Sequence, residues 1–163
     1  MLRTSATILF ILFGVTVSAA APACEDQALF MSNENILFLG DATEGAKPGD
    51  RRILDWRVHD AEGNALGSFH VITTVLGEAE DGHLITAVGS VIFPNGEIHA
   101  TITTELPDAS SSTRSSAQNV DWAIVGGTDA FAHAFGTLVT GPPADATRSL
   151  DDWSFDITME CRD

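Results

Sequence analysis

Apolar and polar residues alternate with a period of two in segment after segment from Leu29 to Cys161, and no amphipathic stretch reaches helix length. The last segment, Leu150 to Cys161, is the cleanest. There Trp153, Phe155, Ile157, Met159 and Cys161 share one face, and Asp152, Ser154, Asp156, Thr158 and Glu160 share the other. From Ile53 to Asp60, Leu54, Trp56 and Val58 oppose Asp55, Arg57 and His59. A tight turn at Glu62-Gly63-Asn64 sends the chain back through Leu66 to Leu76, with Phe69, Val71 and Val75 on one side and Ser68, His70, Ile72 and Thr74 on the other. With a short loop, Trp56 and Val58 share a face with Phe69 and Val71, and Arg57 shares the opposite face with His70.

Leu84 to Phe93 and Ile98 to Leu106 flank Pro94-Asn95-Gly96, a strong hairpin pattern. Taking Asn95-Gly96 as the central pair places Phe93 opposite Ile98, Val91 opposite Ala100 and Ser90 opposite Thr101. Leu29 to Leu39 is either one bent strand or a short turn followed by a strand. The segment 40–50 is turn-rich, the serine-rich stretch Pro107 to Gln118 is expected to be a loop, and Gly141-Pro142-Pro143 stops a strand. These segments make about eight strands joined mostly in sequence, an all-β chain that fits an eight-stranded antiparallel up-and-down barrel. An open sandwich is the alternative. A barrel removes the edges that long Val/Ile/Thr strands otherwise expose.

Residues 1–23 carry a positive start at Arg3, an apolar run from Ile8 to Val17 and small residues up to Ala23, the pattern of an export signal. That run is shorter than the roughly 20 residues a membrane span needs. The expectation is a signal peptide at 1–23, a single domain at 24–163, no membrane span, and a secreted or periplasmic location. Without Arg3, seven basic residues face 23 acidic ones, a formal charge of -16 that repels nucleic acid. Cys24 and Cys161 are the only cysteines in the sequence and lie at the two ends of the exported part. Export favours a disulfide between them, and a closed barrel brings its first and last strands together. A lipidated Cys24 with a free Cys161 is the rival.

Between two of the strands runs Ile124-Val-Gly-Gly-Thr-Asp-Ala-Phe-Ala-His-Ala-Phe-Gly136, in which Gly126, Gly127 and Thr128 make a corner, Phe131 and Phe135 are available to fold it onto a core, and Gly136 starts the next strand. This Gly-Gly-Thr-x-x-Phe-x-x-Ala-x-Gly pattern resembles the corner of the allene oxide cyclase and dirigent superfamily of calycin-like barrels. Asp129 stands where that family usually has a third glycine, and His133 where a small residue is common. The resemblance implies a barrel that holds a small hydrophobic molecule, works as a cyclase or isomerase without a cofactor, and assembles as a homotrimer. A non-catalytic carrier or structural barrel is the other function class.

Five histidines, His59, His70, His83, His99 and His133, show no metal-ligand spacing, so no metal is expected. Neither a nucleophile elbow nor a phosphate loop is present. Asp55, Arg57 and His70 share one polar face, joined by His99 on a later strand, and these four are the ligand-pocket candidates. Arginine can orient a carbonyl or phenolate, and Asp and His can exchange protons. Alternation alone does not say whether this face points inward or is a solvated outer wall with cross-strand charge pairs.

Overall fold

A computed structural model describes residues 24–39, 46–80, 82–107, 119–141 and 152–161. The expected signal peptide, the serine-rich loop at 108–118 and the two prolines after Gly141 lie outside them. Eight strands form one closed antiparallel barrel in sequence order: β1 (Gln27–Leu39), β2 (Arg51–His59), β3 (Ala65–Ala79), β4 (Gly82–Phe93), β5 (Gly96–Pro107), β6 (Val120–Gly127), β7 (Ala134–Gly141) and β8 (Asp152–Cys161). One turn of 3-10 helix, Asp129–Phe131, joins β6 to β7. The open sandwich is thereby excluded. β1 is a single strand whose pairing to β2 shifts between Asn33 and Asn35, so the bent-strand alternative holds.

The apolar phase of each strand faces inward. Val58, Phe69, Val91, Ile98, Leu138, Phe155 and Ile157 are essentially inaccessible to solvent. Phe69 sits at the centre of an aromatic group, 5.7 Å from Trp56, 5.6 Å from Trp122 and 5.1 Å from Phe155 between ring centroids. Gly89, diagonally across on β4, makes room for that ring, since a Cβ there would lie 2.6 Å from Phe69 Cε2. The buried Trp122 indole donates to Thr140 Oγ1 at 3.2 Å.

β2 and β3 pair as the alternation requires, with Trp56 opposite Phe69 and Asp55 opposite His70. Their connection is tied down by Asp60, whose carboxylate accepts from the Asn64 side chain at 2.8 Å and from the backbone N–H groups of Glu62 and Asn64. The Asn64 side chain foremost, with these backbone donors, holds the Asp60 carboxyl below its ordinary range.

The β4–β5 hairpin keeps its expected faces but not its expected register. Phe93 pairs with Gly96, Val91 with Ile98, Gly89 with Ala100 and Ser90 with His99, a shift of two residues. Pro94 and Asn95 make the turn, and Gly96 already belongs to the strand at a φ of 146°, packed so closely on the corner that a Cβ would lie 2.5 Å from the Thr128 carbonyl oxygen. Glycine is needed for that approach rather than for the turn itself.

The corner is built on the same end of the barrel. Thr128 N donates to the Glu97 carbonyl at 2.9 Å, Ala130 N donates to the Asn95 carbonyl at 3.1 Å, and Phe131 is fully buried 5.5 Å from Phe93. Phe135, by contrast, lies on the outer phase of β7, because Ala134 and Leu138 take the inner one. Asp129 and His133, the two departures from the glycine and small-residue pattern, both adopt left-handed backbone, with φ of 51° and 62°. The corner therefore keeps its geometry without glycine at those positions. Cys24 and Cys161 are bonded, closing the β1–β8 seam across 137 residues of chain, with their Cα atoms 5.6 Å apart. The lipidated alternative for Cys24 falls with that bond.

Candidate functional site

Three cross-strand rows define the outer wall. Asp55, His70, Ser90 and His99 form one continuous polar row across β2 to β5. The neighbouring row toward the 46–50 end is apolar: Leu37, Ile53, Ile72 and Val88, followed by Thr101. Beyond the polar row on its other side come Arg57, Ser68, Ile92 and Glu97. A groove of about 440 Å³ runs between the polar and apolar rows, lined by Asp55, His70, Ser90 and His99 and by Ile53, Ile72, Val88 and Val125.

The four pocket candidates, Asp55, Arg57, His70 and His99, are thus neighbours, but on the outside of the barrel. Arg57 and His70 are exposed, whereas Val58 and Phe69 beside them are completely buried. Of the two placements left open for this face, the outer wall is the one observed, because Trp56 and Val58 claim the inward phase of β2. His99 lies with Ser90, whose Oγ is 3.0 Å from His99 Nδ1, and its Nε2 is 4.0 Å from Glu97 Oε2. His133 is exposed on the corner. Among the described residues, no group of three or more His, Cys, Asp or Glu side chains is placed to hold a metal ion.

The inner wall has a polar residue that alternation beginning at Ile53 misses. Arg52 stands in phase with Leu54, Trp56 and Val58 and pairs with the buried Thr73. Continuing that row gives Thr73, Ala87 and Ile102. Extending the β2 alternation one step toward the N-terminus is the signal that finds it. Around this end of the barrel, away from the corner, Leu54, Ile102, Val120 and Trp153 pack on the core yet stay only partly buried, and Ala46 packs there too. The segment carrying Ala46 is anchored on β3 through Gly49 N to the Val75 carbonyl and Val75 N to the Asp50 carbonyl, at 2.8 and 2.9 Å. Arg52 and Thr73 are thus the polar members of an otherwise apolar inner row, and an arginine beside a hydroxyl can fix the polar end of a small molecule.

No protein-family model matches the chain, and no curated protein matches it. Solved structures do. A pyocyanin demethylase is 17% identical with a TM-score of 0.63, the match covering 81% of this chain and 98% of that one. A heme-binding cyclase that catalyses a [4 + 2] cycloaddition in neoabyssomicin biosynthesis is 13% identical with a TM-score of 0.66, covering 85% of this chain and 68% of that one. A pterocarpan synthase dirigent protein is 14% identical with a TM-score of 0.59, covering 96% of this chain and 100% of that one. At such identities it is the architecture that is shared, and the chain has the closed eight-stranded barrel fold of the dirigent proteins and barrel cyclases.

Proposed function

We propose that the protein is an exported barrel that binds a small apolar molecule at the open end of its lumen, with Arg52 and Thr73 holding the polar end of that molecule. The observation that carries this reading is the inner row Arg52–Thr73–Ala87–Ile102 beside partly exposed Leu54, Val120 and Trp153. The row joins a cation, a hydroxyl and one small side chain to the apolar surface of Ile102. A barrel that fixes one conformer of a reactive substrate accelerates its cyclisation or isomerisation without a cofactor, and proteins sharing the fold include a cyclase and a dirigent protein. The disulfide accords with a secreted or periplasmic location. A non-catalytic carrier or structural barrel is the second reading, and its structural form is favoured by the close aromatic packing around Phe69 in the barrel interior.

Calorimetric titration with apolar phenols and oxidised fatty acids tests the site. Arg52→Met removes charge-assisted hydrogen bonds worth roughly 1.5 to 3 kcal/mol, so affinity for the acidic ligands is expected to fall about tenfold or more. Arg51→Ala, one residue away on the outer wall, leaves it unchanged. Equal affinity in wild type and Arg52→Met removes Arg52 from the site, and no binding at all leaves the structural barrel in front.

Self-association belongs to the same proposal. Ile72, Val88 and Val125 are 43%, 55% and 62% exposed on the outer wall, beside His70 and His99 in an otherwise acidic chain. A second and third copy covering this band would make the homotrimer. Val88→Asp is then expected to convert a trimeric solution mass to a monomeric one, and a monomeric wild type would contradict it.

A further inference from the structure

On the outer wall, Ser68, His70 and Asp55 are joined in the order and through the atoms that activate a hydroxyl nucleophile. His70 Nδ1 is 2.6 Å from Asp55 Oδ1, and His70 Nε2 is 2.9 Å from Ser68 Oγ. An ionised carboxylate can only accept, so Asp55 fixes the N–H on Nδ1 and leaves Nε2 as the acceptor for the Ser68 proton. Ser68 and His70 are two residues apart on one face of β3, and Asp55 is directly opposite His70 on β2. Arg57 stands directly opposite Ser68, and Ile92 flanks it on β4. In the single chain His70 and Asp55 keep 45% and 34% of their side-chain surface accessible, and Ser68 lies in the Arg57–Ile92 row, on the side away from the Ile72 and Val88 band, so a solute can reach the group from that side even where further copies cover the band.

We propose that Ser68 is an activated nucleophile that accepts an acyl group from small esters of apolar acids, independently of whatever the lumen binds. Ser68 Oγ attacks the ester carbonyl carbon as its proton passes to His70 Nε2. Asp55 balances the charge on the imidazolium. Arg57 is within cross-strand reach of the oxyanion, and Ile92 offers apolar surface to the acyl chain. Breakage of the ester C–O bond releases the alcohol, which takes the proton from Nε2. Water, again deprotonated by His70, then hydrolyses the acyl-serine to the free acid and restores Ser68.

A second serine on the same wall is the internal comparison. Ser90 meets His99 through Nδ1, and the nearest carboxylate oxygen, from Glu97, is 4.0 Å from Nε2, too far for a hydrogen bond. The whole protein is incubated with an alkyl fluorophosphonate, and the modified serine is located by peptide mass mapping, alongside hydrolysis of p-nitrophenyl butyrate. The expected result is modification of Ser68 ahead of Ser90, reduced about tenfold or more in His70→Gln and in Asp55→Asn, each with an unchanged melting temperature. Ester hydrolysis falls in parallel in Ser68→Ala. Modification of Ser68 no faster than Ser90, or at a rate indifferent to His70→Gln, overturns the proposal. So does butyrate hydrolysis that survives Ser68→Ala in full.

Discussion

Gly127→Val is expected to cost about 3 kcal/mol or more, at the upper end for overpacking, and to lower the melting temperature by about 10 °C. A Cβ at this position would collide with the carbonyl oxygens of Phe131 and Glu97, the latter at 2.5 Å, and would lie 2.9 Å from Phe131 Cβ. None of these can yield cheaply. The Glu97 carbonyl accepts the Thr128 N–H, and Phe131 is locked in the core. Gly126 is different: nothing lies within 4 Å of a Cβ built there, and what favours glycine is its backbone φ of 158° instead. The neighbouring Ala130→Ser, also on the corner, is expected to stay within about 0.5 kcal/mol. Thermal denaturation of the two variants side by side checks the corner, and equal melting temperatures would count against it.

Breaking the seam is expected to cost still more. With Cys24 and Cys161 separated by 137 positions in the sequence, the chain-entropy relation gives about 5 kcal/mol for the bond, at the top of the usual range of about 2 to 5. The β1–β8 ladder, from Gln27 opposite Ile157 to Ser32 opposite Asp152, must then close the barrel unaided. Chemical denaturation of the Cys24→Ser, Cys161→Ser double variant gives the loss directly. A loss below about 1 kcal/mol would mean that the ladder alone holds the ends together. Peptide mapping under non-reducing conditions shows the bond itself.

The barrel is legible in the sequence because alternation at a period of two is dictated by the pleat, and eight such runs without a helix leave few architectures. The bond across the seam follows from two cysteines at the ends of a closed sheet. What alternation cannot convey is phase relative to the lumen. It groups Asp55, Arg57 and His70 on one face, yet that face is assigned outward only by the packing of Trp56 and Val58 against the core. Arg52 escapes a strand taken to begin at Ile53. Register demands more again. Reading Asn95-Gly96 as the turn shifts every β4–β5 pair by two, since the close approach of Gly96 to Thr128 comes from a corner about thirty residues away, outside any local pattern. The Ser68–His70–Asp55 alignment likewise depends on the β2–β3 register, which a single-residue slip would destroy.

Photo-crosslinking locates a ligand in the barrel mouth most directly. A diazirine-bearing fatty acid is bound to the intact protein and irradiated, and the adducts are mapped by peptide mass spectrometry. Binding in the mouth predicts adducts on inner-wall residues such as Trp153, Ile102 and Leu54, lost on competition with an unlabelled fatty acid and weakened in Arg52→Met. Adducts confined to the outer band at Ile72 and Val88, or none above background, would contradict it.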